Sequence, residues 1–242
     1  WSIQSLSKGR FQLGLGSQIK AHLRRRFSTE VLPPVARMRE YVESLRTIWD
    51  CWQNGTKLDY QGEYYQFSLM IPYYDPGPIE YPRIPVYLAA INKNMCQLAG
   101  EIADGHLPGD PITDKWFSEV MLPNLEQGAK RVGRKLNDLD LGSYGFIGCA
   151  TTEAGLERVR QGLKERVALY ASTPEYEKIL EMHGWKNIDL SLFIDMARKN
   201  QWQQMGQLVT DEMLDAYAVV ALPQDLPGKL KQRFGDQVNR IQ

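Results

Sequence analysis

Two apolar runs in this chain end on small and polar side chains, and those ends could hold a ligand. Phe11–Gln18 reads FQLGLGSQ, and Ile84–Gly109 reads IPVYLAAINKNMCQLAGEIADGHLPG. Each run breaks and then leads into a helical pattern, the place where parallel α/β proteins bind ligands. Gly14 and Gly16 remove side chains at the first break, and Ala89 and Ala90 keep the second small. Strand ends stripped of bulk suit something flat and large, such as a flavin-type ring. At the first break, Gly16, Ser17 and Gln18 are candidates to meet the ring and its polar edge; a tight turn that merely needs glycine is the plain alternative. At the second, Ala90, Ile91, Asn92, Asn94 and Met95 lie at a helix start whose backbone N–H groups could hold a phosphate. Lys93 could add charge there, and Asn92 or Asn94 could serve only as the N-cap.

His106 follows Asp104-Gly105 at the end of the next apolar run. A histidine at such a strand end is a candidate proton donor or substrate contact, against a structural hydrogen bond. His22 lies among Arg24, Arg25 and Arg26, a cluster that could meet an anionic tail or simply form a solvated face. Tyr170, Ser172 and Thr173 are candidates to line a substrate pocket, with a helix end followed by Pro174 as the plain alternative. Trp49, Trp52 and the tyrosines at 64, 65, 73 and 74 read as core and covering packing.

The elements that must position these residues alternate. Trp1–Gly9 reads as a helix end and Arg10–Gly16 as a strand. Val35–Gln53 carries Val35, Met38, Val42, Leu45, Ile48, Trp49 and Trp52 at helical spacing and stops at Asn54-Gly55. Leu58–Phe67 reads as a hairpin. Met70–Arg83 holds four prolines and must be irregular, an insertion that could act as a lid. Pro85–Ala90 is a strand, Asn94–Ala103 its helix, and Asp104–Leu107 opens another strand. Thr113–Gly133 is helical with a break at Pro123. Leu141–Ala150 reads as one strand and Glu153–Leu169 as a helix capped by Thr151 or Thr152. Pro174–Asn200 and Gln203–Leu214 are helical, Ala216–Ala221 is a short apolar run, and Leu226–Phe234 is a last helix. Val238–Gln242 reads as the start of a strand. This order predicts an α/β fold with a parallel sheet.

Composition narrows the function classes. Lys+Arg and Asp+Glu both number 29, a balance that argues against general nucleic-acid binding. No run of about 18 apolar residues exists, so no transmembrane helix is expected, and Trp1–Arg10 lacks the apolar stretch of a signal peptide. The three cysteines, Cys51, Cys96 and Cys149, show neither metal-ligand nor disulfide spacing, so reduced thiols, a cytoplasmic protein and no metal site are expected.

Five segments together carry a resemblance: LSKGRFQLGLGSQIKAHLRRRFS, REYVESLRTIW, LDYQGEYY, IPVYLAAINKNMCQLAGEIADG and LYASTPEYEKILEMHGW. The chain resembles the luciferase-like monooxygenase superfamily, and within it the probable F420-dependent oxidoreductases. The resemblance implies a single (β/α)8 TIM-barrel domain over 1–242, with an insertion at about 56–83. It makes FQLGLGSQ the fourth strand, IPVYLAA the fifth, DGHLPG the sixth and LGSYGFIGCA the seventh, with the first three strands lacking. It implies F420 or FMN as cofactor, contacts from Gly16, Ser17, Gln18, Ala90, Ile91, Asn92, Asn94 and Met95, and His106 as the catalytic candidate. It also raises the reading of His22 and Arg24–Arg26 as a site for the glutamyl tail of F420. The activity implied is hydride transfer from reduced F420 to a small organic substrate, or FMN-dependent monooxygenation. A non-catalytic partial barrel that only binds a partner or flavin is the alternative from another class. Its open sheet edges would favour a homo-oligomer, expected as a dimer.

Overall fold

In a computed structural model, residues 1–185 and 189–241 are described. In chain order the elements are α1 (Ser2–Leu6), β1 (Leu13–Leu15), α2 (Lys20–Arg25), α3 (Pro34–Asn54), β2 (Tyr60–Gln61), β3 (Gln66–Phe67), β4 (Val86–Ala89), α4 (Lys93–Ile102) and β5 (Gly105–Leu107). There follow α5 (Asp114–Trp116), a π-helical stretch (Phe117–Met121), α6 (Leu122–Arg131), β6 (Asp140–Leu141), β7 (Phe146–Cys149) and α7 (Glu153–Ala171). The last elements are α8 (Glu177–His183), α9 (Leu190–Arg198), α10 (Trp202–Gln207), α11 (Asp211–Tyr217), β8 (Ala218–Ala221) and α12 (Leu226–Phe234). The chain divides into two compact units, Trp1–Leu107 with Asn124–Asp140, and Pro108–Pro123 with Leu141–Gln242. No helix among the described residues is long and apolar enough to cross a membrane.

In the first unit β1, β4 and β5 pair in parallel. Leu13, Gly14 and Leu15 face Val86, Tyr87 and Leu88, and Tyr87, Leu88 and Ala89 face Gly105, His106 and Leu107. The fully buried Val86 and Leu88 form the sheet's core. Asp104 knits the start of β4 to β5: its Oδ2 accepts the Val86 N–H at 2.9 Å and its own N–H donates to Val86 O at 2.8 Å. Gly105 beside it is obligatory, because a Cβ there would overlap the Tyr87 ring. Proline at the first helical position starts α3, and Gly55 at φ 66° stops it.

Helix α4 packs backbone to backbone on α6. A Cβ at Gly100 would run into Leu125 O, and one at Gly128 into Gln97 O. Buried Gln97 is satisfied there, donating to Asn124 Oδ1 at 2.8 Å and Gln127 Oε1 at 2.7 Å while accepting from Arg131 at 2.9 Å. Glu101 joins Arg39 of α3 and Arg131 of α6. Burial alone would raise its carboxyl, but the two guanidiniums hold it below the usual range.

The second unit is built on parallel β7 and β8, with Phe146, Ile147, Gly148 and Cys149 facing Ala218, Val219, Val220 and Ala221. Helix α7 lies so close on β7 that a Cβ at Gly148 would press on Val159 and Leu163. Thr152 caps α7, accepting the Gly155 N–H at 3.1 Å. Phe117, Tyr144 and Phe234 form an aromatic cluster, with the Phe117 and Tyr144 centroids 4.2 Å apart.

The α/β order agrees with the sequence reading, with several differences of detail. The strand expected over Leu141–Ala150 is two strands, because Gly145 at φ 74° breaks the extended run. Ala216–Ala221, read only as an apolar run, contains β8. The helix expected over Thr113–Gly133 changes its hydrogen-bond pitch at Phe117–Met121, just before Pro123, whose missing N–H breaks the ladder. Pro174–Asn200 divides into a short turn, α8 and α9, and residues 186–188 within it lie outside the described residues. The strand expected from Val238 is a single bridge, Arg240 to Gly142, and Gln242 lies outside the described residues. Strand pairing among the described residues does not close into a ring.

Close helix contact through glycine makes a sharp prediction. Gly128→Ala should lower stability by about 2 kcal/mol or more, because backbone rather than a flexible side chain must yield. Gly162→Ala, in α7 with no atom near its added methyl, should instead gain about 0.5–1 kcal/mol. Paired thermal denaturations of the two variants check both signs.

Candidate functional site

All three parallel strands of the first unit end on the same edge, which gathers Gly16, Ala90 and His106 there. Gly16 and Ala89 lie side by side, and a Cβ on Gly16 would come 3.3 Å from the Ala89 methyl. The β1–α2 turn continues through Ser17 to Gln18, which sits at φ 60°. A non-glycine residue in that left-handed region costs of order 1–3 kcal/mol and tends to mark a functional turn.

Gly16, Ser17 and Gln18 open into a cavity of about 320 Å³. Leu23, Val31, Leu32 and Met38 are among the residues that give it an apolar wall, and Lys20, Arg37, Tyr41 and Tyr65 are among its polar and aromatic lining. Tyr65 is brought in by the β2–β3 hairpin. Glu40 of α3 fixes that hairpin by accepting the N–H groups of Glu63 at 2.9 Å, Tyr64 at 2.7 Å and Tyr65 at 3.2 Å. Burial pulls the Glu40 carboxyl upward, but these three donors win and hold it below the ordinary value. Gly62 leaves room for the carboxylate, which an added Cβ would strike. The Tyr65 hydroxyl accepts the Arg37 Nε–H at 2.8 Å, and its ring meets Tyr41 edge-on at 5.5 Å.

The proline-rich stretch over Met70–Arg83 is tethered to the start of the chain and to α3. Trp1 Nε1 donates to Gly77 O, Gln4 Nε2 to Arg83 O, and the Ile79 N–H to Gln53 Oε1. These anchors are α1 and the last turn of α3. Of residues 56–83, the cavity lining includes Tyr65 of the hairpin, a residue expected from the sequence only as packing.

At the β4–α4 turn, Asn92 is the N-cap residue, with φ −99° and ψ 155°, yet its side chain caps no N–H. The first-turn N–H groups of α4 have no intrahelical acceptor, so the turn keeps donors for an anion. Ala90 and Met95 are buried, whereas Asn92, Lys93 and Asn94 are exposed.

His106 is fully enclosed, and its Nε2 lies 2.7 Å from Ala90 O. A carbonyl can only accept, so Nε2 carries the proton, and Nδ1 has no hydrogen-bond partner among the described residues. Burial, only partly opposed by the bond to Ala90, pushes the imidazole down to about 4. The ring is neutral at physiological pH and ties β5 to the turn that begins α4.

The second unit holds the other expected site residues. The Tyr170 ring packs between Phe146 at 6.1 Å and Tyr176 at 5.5 Å. The Thr173 hydroxyl donates to Leu169 O at 3.2 Å, closing the end of α7. Cys51 and Cys96 are buried and Cys149 is exposed; burial pushes the Cys96 thiol up to about 12.

Residues 1–238 match the luciferase-like monooxygenase family, and the chain belongs to it. An uncharacterized protein of Mycobacterium tuberculosis is 38% identical over 241 residues, covering 100% of this chain and 71% of that protein. The 5,10-methylenetetrahydromethanopterin reductase of Archaeoglobus fulgidus is 28% identical over 236 residues, covering 96% of this chain and 66% of the reductase. Among solved structures, the coenzyme F420 dependent tetrahydromethanopterin reductase from Methanopyrus kandleri superposes with a TM-score of 0.78 at 21% identity, over 99% of this chain and 70% of that one. This chain shares its α/β fold.

Burial of neutral His106 sets a pH dependence. Between pH 6.5 and 4 the unfolded chain binds a proton that the folded chain does not, so stability falls as pH drops through that window. The loss should approach roughly 3 kcal/mol. His106→Asn should flatten this part of the profile in denaturant titrations at stepped pH; an unchanged slope would disprove the assignment.

Proposed function

We propose that this chain is the core of an F420-dependent oxidoreductase that moves a hydride between the deazaflavin and a small organic substrate. We read its strand–helix order as part of a (β/α)8 barrel. The observation that carries the reading is the cradle at the strand ends, where Gly16 lies against Ala89 and any larger side chain would fill the space. The uncapped start of α4 is a matching anion site, and the family membership supports the same chemistry. When bound, the deazaflavin supplies the hydride-carrying ring, and the protein's work is binding, orientation and exclusion of water.

Each residue has a task in that reading. Gly16 and Ala89 provide a floor without side chains for the ring face. Ser17 and Gln18 turn hydroxyl and amide groups to its polar edge. Backbone N–H groups of residues 93–95, with the Lys93 ammonium, hold the phosphate. His22 and Arg24–Arg26, exposed on and beside α2, attract an anionic tail. His106 positions rather than transfers protons, since its ring is enclosed and its Nε2–H is committed to Ala90 O.

Titrating the purified chain with F420 and with FMN tests this. Preferential binding of F420 supports hydride transfer. Preferential binding of FMN would replace it with oxygen-activating monooxygenation, and binding of neither would overturn it. Gly16→Val should weaken cofactor binding at least tenfold while leaving the thermal midpoint within about 3 °C, since Gly16 is exposed at the strand end.

A further inference from the structure

We propose that the cavity beside β1 takes the substrate, and that this substrate is an organic acid with an apolar, ring-bearing body and one carboxylate. Its assignment as substrate rests on reading the β1 end as the active site. The cavity's walls carry the chemistry. Leu23, Val31, Leu32 and Met38 offer an apolar surface, and the Tyr41 and Tyr65 rings offer edges and faces for a planar group.

Arg37 supplies the anion site. Among the described residues only its Nε–H is used, by Tyr65 OH, and the guanidinium carbon lies 5.9 Å from the centre of the Tyr65 ring. Its remaining side-chain N–H groups have no acceptor among the described residues. Four arginines of the same unit are ion-paired, Arg39 and Arg131 with Glu101 and Arg46 and Arg83 with Asp104. Arg10, Arg24–Arg26 and Arg134 have no carboxylate partner among the described residues, but Arg37 is the arginine that lines the cavity. A half-buried guanidinium facing an apolar cavity without a counter-ion is costly unless a ligand brings one. Its fork matches a carboxylate in a bidentate pair. Lys20 at the rim, also without an ion pair among the described residues, adds attraction for an incoming anion. The glutamyl tail of F420 is a second source of carboxylate, but it is polar along its length and would leave the apolar wall unused.

Calorimetric titration with 2-naphthoate and its neutral isostere 2-naphthamide tests the proposal without needing the cofactor. The acid should bind at least tenfold more tightly than the amide. Arg37→Gln should abolish that preference and Arg37→Lys should restore part of it. Tyr65→Phe, which removes the hydroxyl and keeps the charge, should retain the preference within threefold. Equal binding of acid and amide, or a preference that survives Arg37→Gln, would overturn the proposal. Competition separates the two carboxylate sources. Displacement of naphthoate by F420, but not by the same deazaflavin without its tail, would give the cavity to the cofactor and overturn the substrate assignment. Failure of F420 and FMN to bind, with the naphthoate preference intact, would instead remove the oxidoreductase reading and leave an acid-binding site.

Discussion

Parallel pairing of β1, β4 and β5 is the constraint from which the candidate site follows. Strands running the same way must leave the sheet at the same edge, so the turns after Leu15 and Ala89 open side by side, with His106 of β5 next to them. Register then decides which residues meet. Opposing Leu15 to Leu88 brings Gly16 to Ala89, and opposing Leu88 to His106 sets the imidazole under Ala90. A shift of one residue would reverse every side chain through the sheet and put bulk where the edge is now bare. Small residues at the edge forgo packing, and stability comes from elsewhere in the unit: the glycine-mediated contact of α4 with α6, the Glu101 ion cluster, and Asp104 stitching β4 to β5.

Polar groups far apart in sequence shape the cavity. Glu40 takes three N–H groups from a hairpin more than twenty residues downstream, and this brings Tyr65 against Arg37 and Tyr41. The hairpin strands are two residues each, too short to hold their own geometry. One carboxylate on a long helix gives them what their own ladder lacks. The proline-rich stretch that follows is held by Trp1, Gln4 and Gln53, which explains how an irregular segment keeps a fixed path without regular hydrogen bonding.

The second unit solves a similar problem with a buried cation. Arg233 reaches Asp114 at 3.1 Å and donates to the carbonyls of Asp215 at 2.9 Å and Ala216 at 2.7 Å. It therefore closes the end of α11 just where the chain turns into β8. Burial lowers its guanidinium and Asp114 opposes that shift. The same turn region is tight around Gly145, where a Cβ would strike Tyr217 O.

Local pattern was enough for the elements whose signals are local. The apolar spacing from Met38 to Trp52 with Gly55 behind it, a threonine cap of α7 at Thr151 or Thr152, and the alternation around Gly62 each specify their structure within a few residues. So did the small side chains at Gly16 and Ala89, since glycine and alanine at a strand end advertise space. What the tertiary structure alone decided depends on distant partners. The division of Leu141–Ala150 into two strands and the pairing of Ala218–Ala221 with β7 follow from long-range ladders that a short apolar run does not encode. Arg37 looks like any helical arginine until the fold places it on the cavity wall without a carboxylate partner among the described residues, beside the paired Arg39. His106 announced itself as a chemical group at a strand end, and only the fold reveals it enclosed against Ala90. Residue type and spacing determine which chemistry is available, whereas burial and hydrogen-bond partners, set by contacts across tens of residues, determine which of those groups can use it.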